Sequence, residues 1–452
     1  MGVKSIFVCQ NCGYESIQWL GKCPSCKEFT TFAEEIIAKN EKNIFSKTVN
    51  KQSKPSLIND IQTPNYQKMP TDDPELNRVL DKGFVPGSII LLAGDPGIGK
   101  STLLLQLAIQ GSIKTLYISG EESENQIKLR ADRIGVKNEK CFILNETLLE
   151  NIFSYLSIKE SDHQLIIIDS IQTLYTNQIA SPIGSISQIR ECCSQLLQLA
   201  KNTNITIIVI GHITKDGQIA GPKILEHMVD AVLHFEGDKN FQFRILRSKK
   251  NRFGSTSEIG LYEMGPTGLS SVKSPSKILL SNNFKNLDGC SISCVMEGDR
   301  PFLVEVQALV GTAVYGTPQR TANGFNLKRL NMLLAVLEKK CGFKLGKKDV
   351  FLNIIGGIRV TDPALDLSVI ASILSSSIDL PILKNSCFIG EVGLNGEVRS
   401  EQNISKRILE AEKMGFENVF ISSINKLNIN IKKINIIKVS TINELKKILF
   451  ES

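Results

Sequence analysis

The chain has no uninterrupted apolar run near the roughly 20 residues that a bilayer-crossing helix needs, so no membrane span is expected. Its first residues, Met1 to Val8, carry one lysine and a short apolar stretch that stops at Cys9, which does not make a secretory signal. No short-period repeat and no heptad seam is present. A disulfide framework is also missing: of 11 cysteines, four cluster near the N-terminus and seven are scattered through apolar segments, as reduced thiols in a cytoplasm would be. Nor is there a strong charge bias. The net charge of +7 permits a nucleic-acid partner without requiring one.

What is there divides into pieces. At 452 residues the chain exceeds one compact core, and two or three domains are expected. Residues 7–28 are dense in cysteine and glycine, and Ala38 to Lys68 turns polar without periodicity, as a linker does. Buried-strand runs then alternate with helical patterns: Ser88–Ala93, Thr115–Ser119, Leu165–Ile168 and Ile205–Ile210, which predicts a parallel sheet covered on both faces. The runs Ala231–Phe235 and 241–246 are expected to add antiparallel strands. After Val272 to Ser276 the pattern changes to an α+β domain, with a helix bearing Leu327, Leu330, Leu333, Leu334 and Leu337 on one face, a helix from Pro363, and a hairpin turning at Asn395-Gly396. The expected domains are 1–33, a linker at 34–57, 58–274 and 275–452.

Gly94-Asp95-Pro96-Gly97-Ile98-Gly99-Lys100-Ser101 fits the phosphate-binding loop pattern in full, follows a strand and opens a helix at Thr102. Glycines let backbone N–H groups curl around a phosphate, and the helix N-terminus adds partial positive charge. Lys100 would reach the β/γ oxygens of ATP, and the Ser101 hydroxyl would ligate Mg²⁺. Asp169, ending the run Leu165–Ile168, can hold Mg²⁺ through water. Glu121 and Glu122 follow the second strand, where a carboxylate could orient the attacking water, with Glu121 the stronger candidate. His212 at the fourth strand tip is a candidate γ-phosphate sensor. Cys9-x2-Cys12 and Cys23-x2-Cys26 can surround a structural Zn²⁺, a unit too small to fold without its metal. Lys250 and Arg252, on one side of an extended stretch, could reach a neighbour's γ-phosphate or a DNA phosphate.

In this order the four-cysteine knuckle, the P-loop, Ser119-Gly120-Glu121-Glu122-Ser123, Ile168-Asp169-Ser170, the strand end at Gly211-His212 and Lys250-Asn251-Arg252-Phe253-Gly254 resemble the bacterial RadA/Sms family of RecA-related DNA-repair ATPases, over essentially the whole chain. The resemblance implies an α/β RecA-like P-loop ATPase core, an N-terminal zinc ribbon and a C-terminal α+β Lon-protease-like domain. It further implies a hexameric ring that acts with the RecA recombinase on single-stranded and branched DNA, extending or branch-migrating recombination intermediates. The loops 174–188 and 213–225 would face DNA, the first with Asn177, Gln178, Ser181, Ser185 and Gln188, the second with Lys215 and Lys223. In the Lon-like tail Ala364 stands where the protease nucleophile would be, and the best register puts Ser405, or with a slip of one Lys406, at the lysine position. A lysine without a nucleophile cannot run acyl transfer. An ATP-driven switch acting on proteins without DNA, and an ATP-dependent protease, are the competing readings.

Overall fold

A computed structural model of the chain describes residues 4–9, 13–25, 27–37, 57, 67–158, 162–212, 224–237, 243–276, 280, 287–313, 317–356, 359–427 and 433–451. Two compact units result, Met1–Val272 and Lys273–Ser452.

The first unit opens with a small antiparallel sheet of β1 (Lys4–Cys9), β2 (Glu15–Ser16) and β3 (Phe32–Ile37) in the order β2-β1-β3. Among the described residues its core is Cys9, Cys23 and Phe32, with Phe7 and Leu20 against them. So little apolar surface supplies little stability by burial alone.

The large sheet follows. Its strands are β4 (Ile89–Gly94), β5 (Thr115–Ser119), β6 (Cys141–Asn145), β7 (Leu165–Asp169), β8 (Thr206–His212), β9 (Ala231–Glu236), β10 (Phe243–Asn251), β11 (Ile259–Gly265) and β12 (Gly268–Ser271). They lie in the order β12-β11-β10-β9-β4-β8-β7-β5-β6. The helices are α1 (Pro74–Val79), α2 (Lys100–Gln110), α3 (Glu124–Ile134), α4 (Leu149–Ile158), α5 (Ile186–Thr203) and α6 (Ile224–Met228). Strand residues alternate between the two faces, as a period of two requires. Ile90 and Leu92 join the core formed with α1, α2 and α3, while Ile89, Leu91 and Ala93 join the one formed with α4 and α5. Continuous apolar strands are therefore the expected composition.

Two expectations need correction. The run at Ala231 is not antiparallel throughout: β9 pairs parallel with β4 and antiparallel with β10, so the parallel sheet extends one strand further before the chain turns back. In the loop 174–188, Ser185 caps α5, and Gln188 is buried, bonded to the backbone of Thr176, Ile179 and Ser181. Those two side chains hold the loop's shape and are spent on it.

The second unit is a seven-stranded mixed sheet in the order β15-β16-β14-β13-β17-β20-β21. Here β13 is Cys290–Glu297, β14 Arg300–Thr312, β15 Arg320–Asn323, β16 Lys348–Ile354, β17 Ser386–Ile389, β20 Asn418–Ser422 and β21 Asn435–Val439. A separate hairpin of Glu391–Val392 and Val398–Arg399 turns at Gly396, whose φ of 82° suits glycine. The helix Asp366–Ile378 is buried for eleven consecutive residues against this sheet.

The cation bonded into the Ala364 region is Arg407, not Lys406. In the helix Ile404–Lys413, Ile404 and Ile408 turn into the core with Ala364, and Arg407 lies beside them on that face. Arg407 Nη1 donates to Asp362 Oδ2 at 2.7 Å and to the Cys294 carbonyl at 2.7 Å, while Asp362 Oδ1 accepts from the Ala364 amide. Lys406 points outward to Asp299. Helical periodicity, at 100° per residue, separates adjacent positions that a sequence register confuses. Asp362→Ala should leave a buried guanidinium without its carboxylate and destabilise the second unit by about 3–5 kcal/mol, seen as a lower urea midpoint of its unfolding transition.

Candidate active site

The sheet order sets β4, β8, β7 and β5 side by side, all parallel, so their carboxyl ends share one rim. Gly94 pairs in register with His212, and Ser119 with Asp169. Ligands of open α/β sheets bind at this kind of rim.

The loop after β4 crosses the rim and turns into α2. Gly97 has a φ of 77° with nothing within 4 Å of where a Cβ would sit, and Gly99, at 114°, is the residue before the helix. No side chain caps α2, so its first N–H groups keep their hydrogen-bonding capacity. Lys100 is buried, and its ammonium donates to the carbonyls of Gly94 at 2.8 Å and Asp95 at 3.0 Å. Burial lowers its pKa, while Asp169, Asp95 and Glu121 partly restore it.

The two glutamates separate cleanly. Glu121 Oε1 accepts from the Ser170 hydroxyl at 2.5 Å and from His212 Nε2 at 3.1 Å. Burial would raise the Glu121 pKa, but these hydrogen bonds and the Lys100 charge outweigh it, and the carboxyl sits below its ordinary value. Glu122 turns away to pair with Arg130 of α3. Asp169 is 5% exposed; its Oδ2 accepts from the Tyr117 hydroxyl at 2.7 Å, and among the described residues its buried Oδ1 has no hydrogen-bond partner. An orphaned carboxylate oxygen at the rim that also carries the phosphate loop is the kind of oxygen donor that suits a hard divalent cation.

Lys250 and Arg252 stand outside this group. The Lys250 ammonium donates to the carbonyls of Glu226, His227 and Val229, around the end of α6, and Arg252 pairs with Asp230. The other oxygen of Asp230 accepts from the amide of Ile89, where β4 begins. Lys215, Lys223, Cys12 and Cys26 lie outside the described residues.

The other two cysteines sit in matching turns. The Cys9 amide donates to Tyr14 and its carbonyl accepts from Gly13; the Cys23 amide donates to Glu28 and its carbonyl accepts from Lys27. Gly13 and Lys27 both have positive φ, 73° and 65°. Two copies of one tight turn, each presenting a buried cysteine, fit a ribbon built around a tetrahedral metal. Sequence reasoning missed Tyr117 and Ser170, whose only outward sign is a polar atom inside or just after an apolar strand.

Three families match parts of the chain: one described as a rubredoxin metal binding domain over residues 7–34, an AAA domain over 66–218, and the subunit ChlI of Mg-chelatase over 307–425. The DNA repair protein RadA of Bacillus subtilis is 49% identical over 428 residues, 93% of each chain, and that of Listeria monocytogenes is 45% identical over 98% of each. The chain belongs to the RadA family. Its fold is accordingly a RecA-like P-loop core with an N-terminal zinc ribbon and a C-terminal Lon-like domain. Among solved structures, the KaiC-like protein PH0186 of Pyrococcus horikoshii is 21% identical at a TM-score of 0.39, covering 46% of this chain and 99% of its own. RadB recombinase is 21% identical at 0.35, covering 44% and 97%. Among the described residues no helix is long and apolar enough to cross a membrane.

Gly99→Ala tests the loop. A side chain at φ 114° is strained by about 1–3 kcal/mol, and its Cβ would meet Met264 Cε at 2.7 Å. The variant should melt at a lower temperature and bind a fluorescent ATP analogue more weakly than wild type.

Proposed function

We propose that this RadA-family ATPase is a DNA-dependent motor of recombinational repair, acting in the cytoplasm as a hexameric ring on single-stranded and branched DNA together with the RecA recombinase. The observation that carries the reading is the meeting of Lys100, Asp169, Glu121 and His212 at one rim, in a chain whose relatives are named DNA repair proteins. Residues 58–274 turn over ATP, 1–33 bind Zn²⁺ through Cys9, Cys12, Cys23 and Cys26 with the rest of β3 completing their sheet, the stretch from there to 57 links the two, and 275–452 hold the ring together.

In this reading Gly94 to Thr102 cradle the phosphates, with Lys100 leaving its two carbonyls for the β/γ oxygens. Mg²⁺ on Ser101 and Asp169 would neutralise charge that develops during phosphoryl transfer. Glu121, fixed through Oε1 by Ser170 and His212, keeps Oε2 to orient and polarise water. His212, touching that same carboxylate, reports the state of the γ-phosphate. Glu122 is committed to Arg130 and serves α3 instead. Lys250 and Arg252, outside their own subunit's rim group, act on a neighbour's γ-phosphate. Ala364, fully buried and without a nucleophilic atom, leaves the Lon-like domain no proteolytic chemistry.

A second reading, an ATP-driven switch on protein partners, draws support from the zinc ribbon, which exposes Ile17 by 82% and Phe29 by 64%.

Steady-state ATP hydrolysis with and without single-stranded DNA, at two salt concentrations, separates the two. Strong stimulation that weakens with salt is expected; a low rate indifferent to DNA would favour the switch. In the same assay Glu121→Gln should lose turnover by about 10²-fold or more while keeping nucleotide affinity, as loss of a general base does, and Glu122→Gln should stay near wild type.

A further inference from the structure

We infer that Tyr117 is a positioning residue: its buried hydroxyl fixes the Asp169 carboxylate so that one oxygen alone faces the metal position. The inference rests on the proposed role of Asp169 as the Mg²⁺-holding carboxylate and adds a residue to it.

Tyr117 lies in the middle of β5, 1% exposed, inside the apolar core that α2 and α3 share with the sheet. Phenylalanine would fill this place without a polar atom to satisfy, since a hydroxyl in such surroundings is costly unless it is bonded. Its partner is Asp169 Oδ2, at 2.7 Å. The phenol is the donor, since a carboxylate oxygen can only accept.

The consequence falls on Asp169. Its main chain is held because its carbonyl accepts from the Gly120 amide at 2.9 Å and its strand pairs with β5. The side chain could still rotate its carboxylate, and the Tyr117 hydroxyl is its one hydrogen-bond partner among the described residues. With Oδ2 occupied, Oδ1 remains buried and, among the described residues, without a partner, at the end of β7, a strand that shares its rim with the phosphate loop. The carboxylate thus keeps one oxygen fixed and the other uncommitted before any ligand arrives, so little carboxylate reorientation is left for binding. A hydrogen bond to a charged group is strong enough for its loss to be measurable.

Tyr117→Phe in the full chain removes one oxygen and keeps the ring. A fluorescent ATP analogue is titrated in EDTA and then across a Mg²⁺ series. The affinity in EDTA should remain within about twofold of wild type, while the Mg²⁺ concentration for half-maximal tightening should rise about tenfold, the scale of one charge-assisted hydrogen bond. Tyr117→Met, which also lacks the hydroxyl and packs adaptably, should show the same shift and stands in if the phenylalanine variant does not fold. A wild-type Mg²⁺ response in a folded variant overturns the proposal, as does an EDTA affinity that falls as far as the Mg²⁺-dependent one, which would mark a packing role. Asp169→Asn run alongside keeps two failures apart. If that variant keeps the wild-type Mg²⁺ response, the role of Asp169 itself is wrong; if it loses the response and Tyr117→Phe does not, only the positioning role is.

Discussion

A buried ammonium organises the first unit. Lys100 sits at the start of α2 under the loop it belongs to, and burial makes its charge expensive there unless it is met. Two loop carbonyls meet it directly, and Asp169, Asp95 and Glu121 meet it through the field. Those groups come from the ends of β4, β5 and β7, which burial of apolar residues on both faces presses into one sheet. The core packs the strands, and the strand ends then find one another around a single cation.

Around that cation the polar groups divide the work by geometry. Ser119-Gly120-Glu121-Glu122 places two carboxylates on consecutive residues, and consecutive residues diverge. One meets Ser170 and His212 at the rim; the other meets Arg130 on α3. Ser170 and Asp169 are likewise adjacent and serve different partners, Glu121 and Tyr117.

What could be read in the sequence was local. The phosphate loop, the paired cysteines and the aspartate after an apolar strand each tie chemistry to a fixed short spacing, which is why they can be singled out without knowing the fold. The fold class followed from strand runs that no half-exposed sheet would need. What could not be read was non-local. Tyr117 meets Asp169 across 52 positions and Ser170 meets Glu121 across 49, contacts that exist only because β5 and β7 are neighbours. The parallel pairing of β9 with β4 depends on the path of the connecting chain, and the place of Arg407 on its helix face depends on a register that alignment by eye resolves only to within a residue or two.

The pair Asp362–Arg407 ties the surroundings of Ala364 into the core of the Lon-like domain. A serine put in place of Ala364 would have as its neighbouring cation a guanidinium, which holds its protons at any physiological pH and cannot act as a base. The aspartate that anchors it is already bonded to the Met296 amide as well as to Arg407. Ala364 is itself sealed in the core, so a peptide would find no surface there. The side chains of Asp362, Arg407 and Ala364 are all buried, so this corner of the second unit belongs to its core and a substitution there is felt first as lost stability.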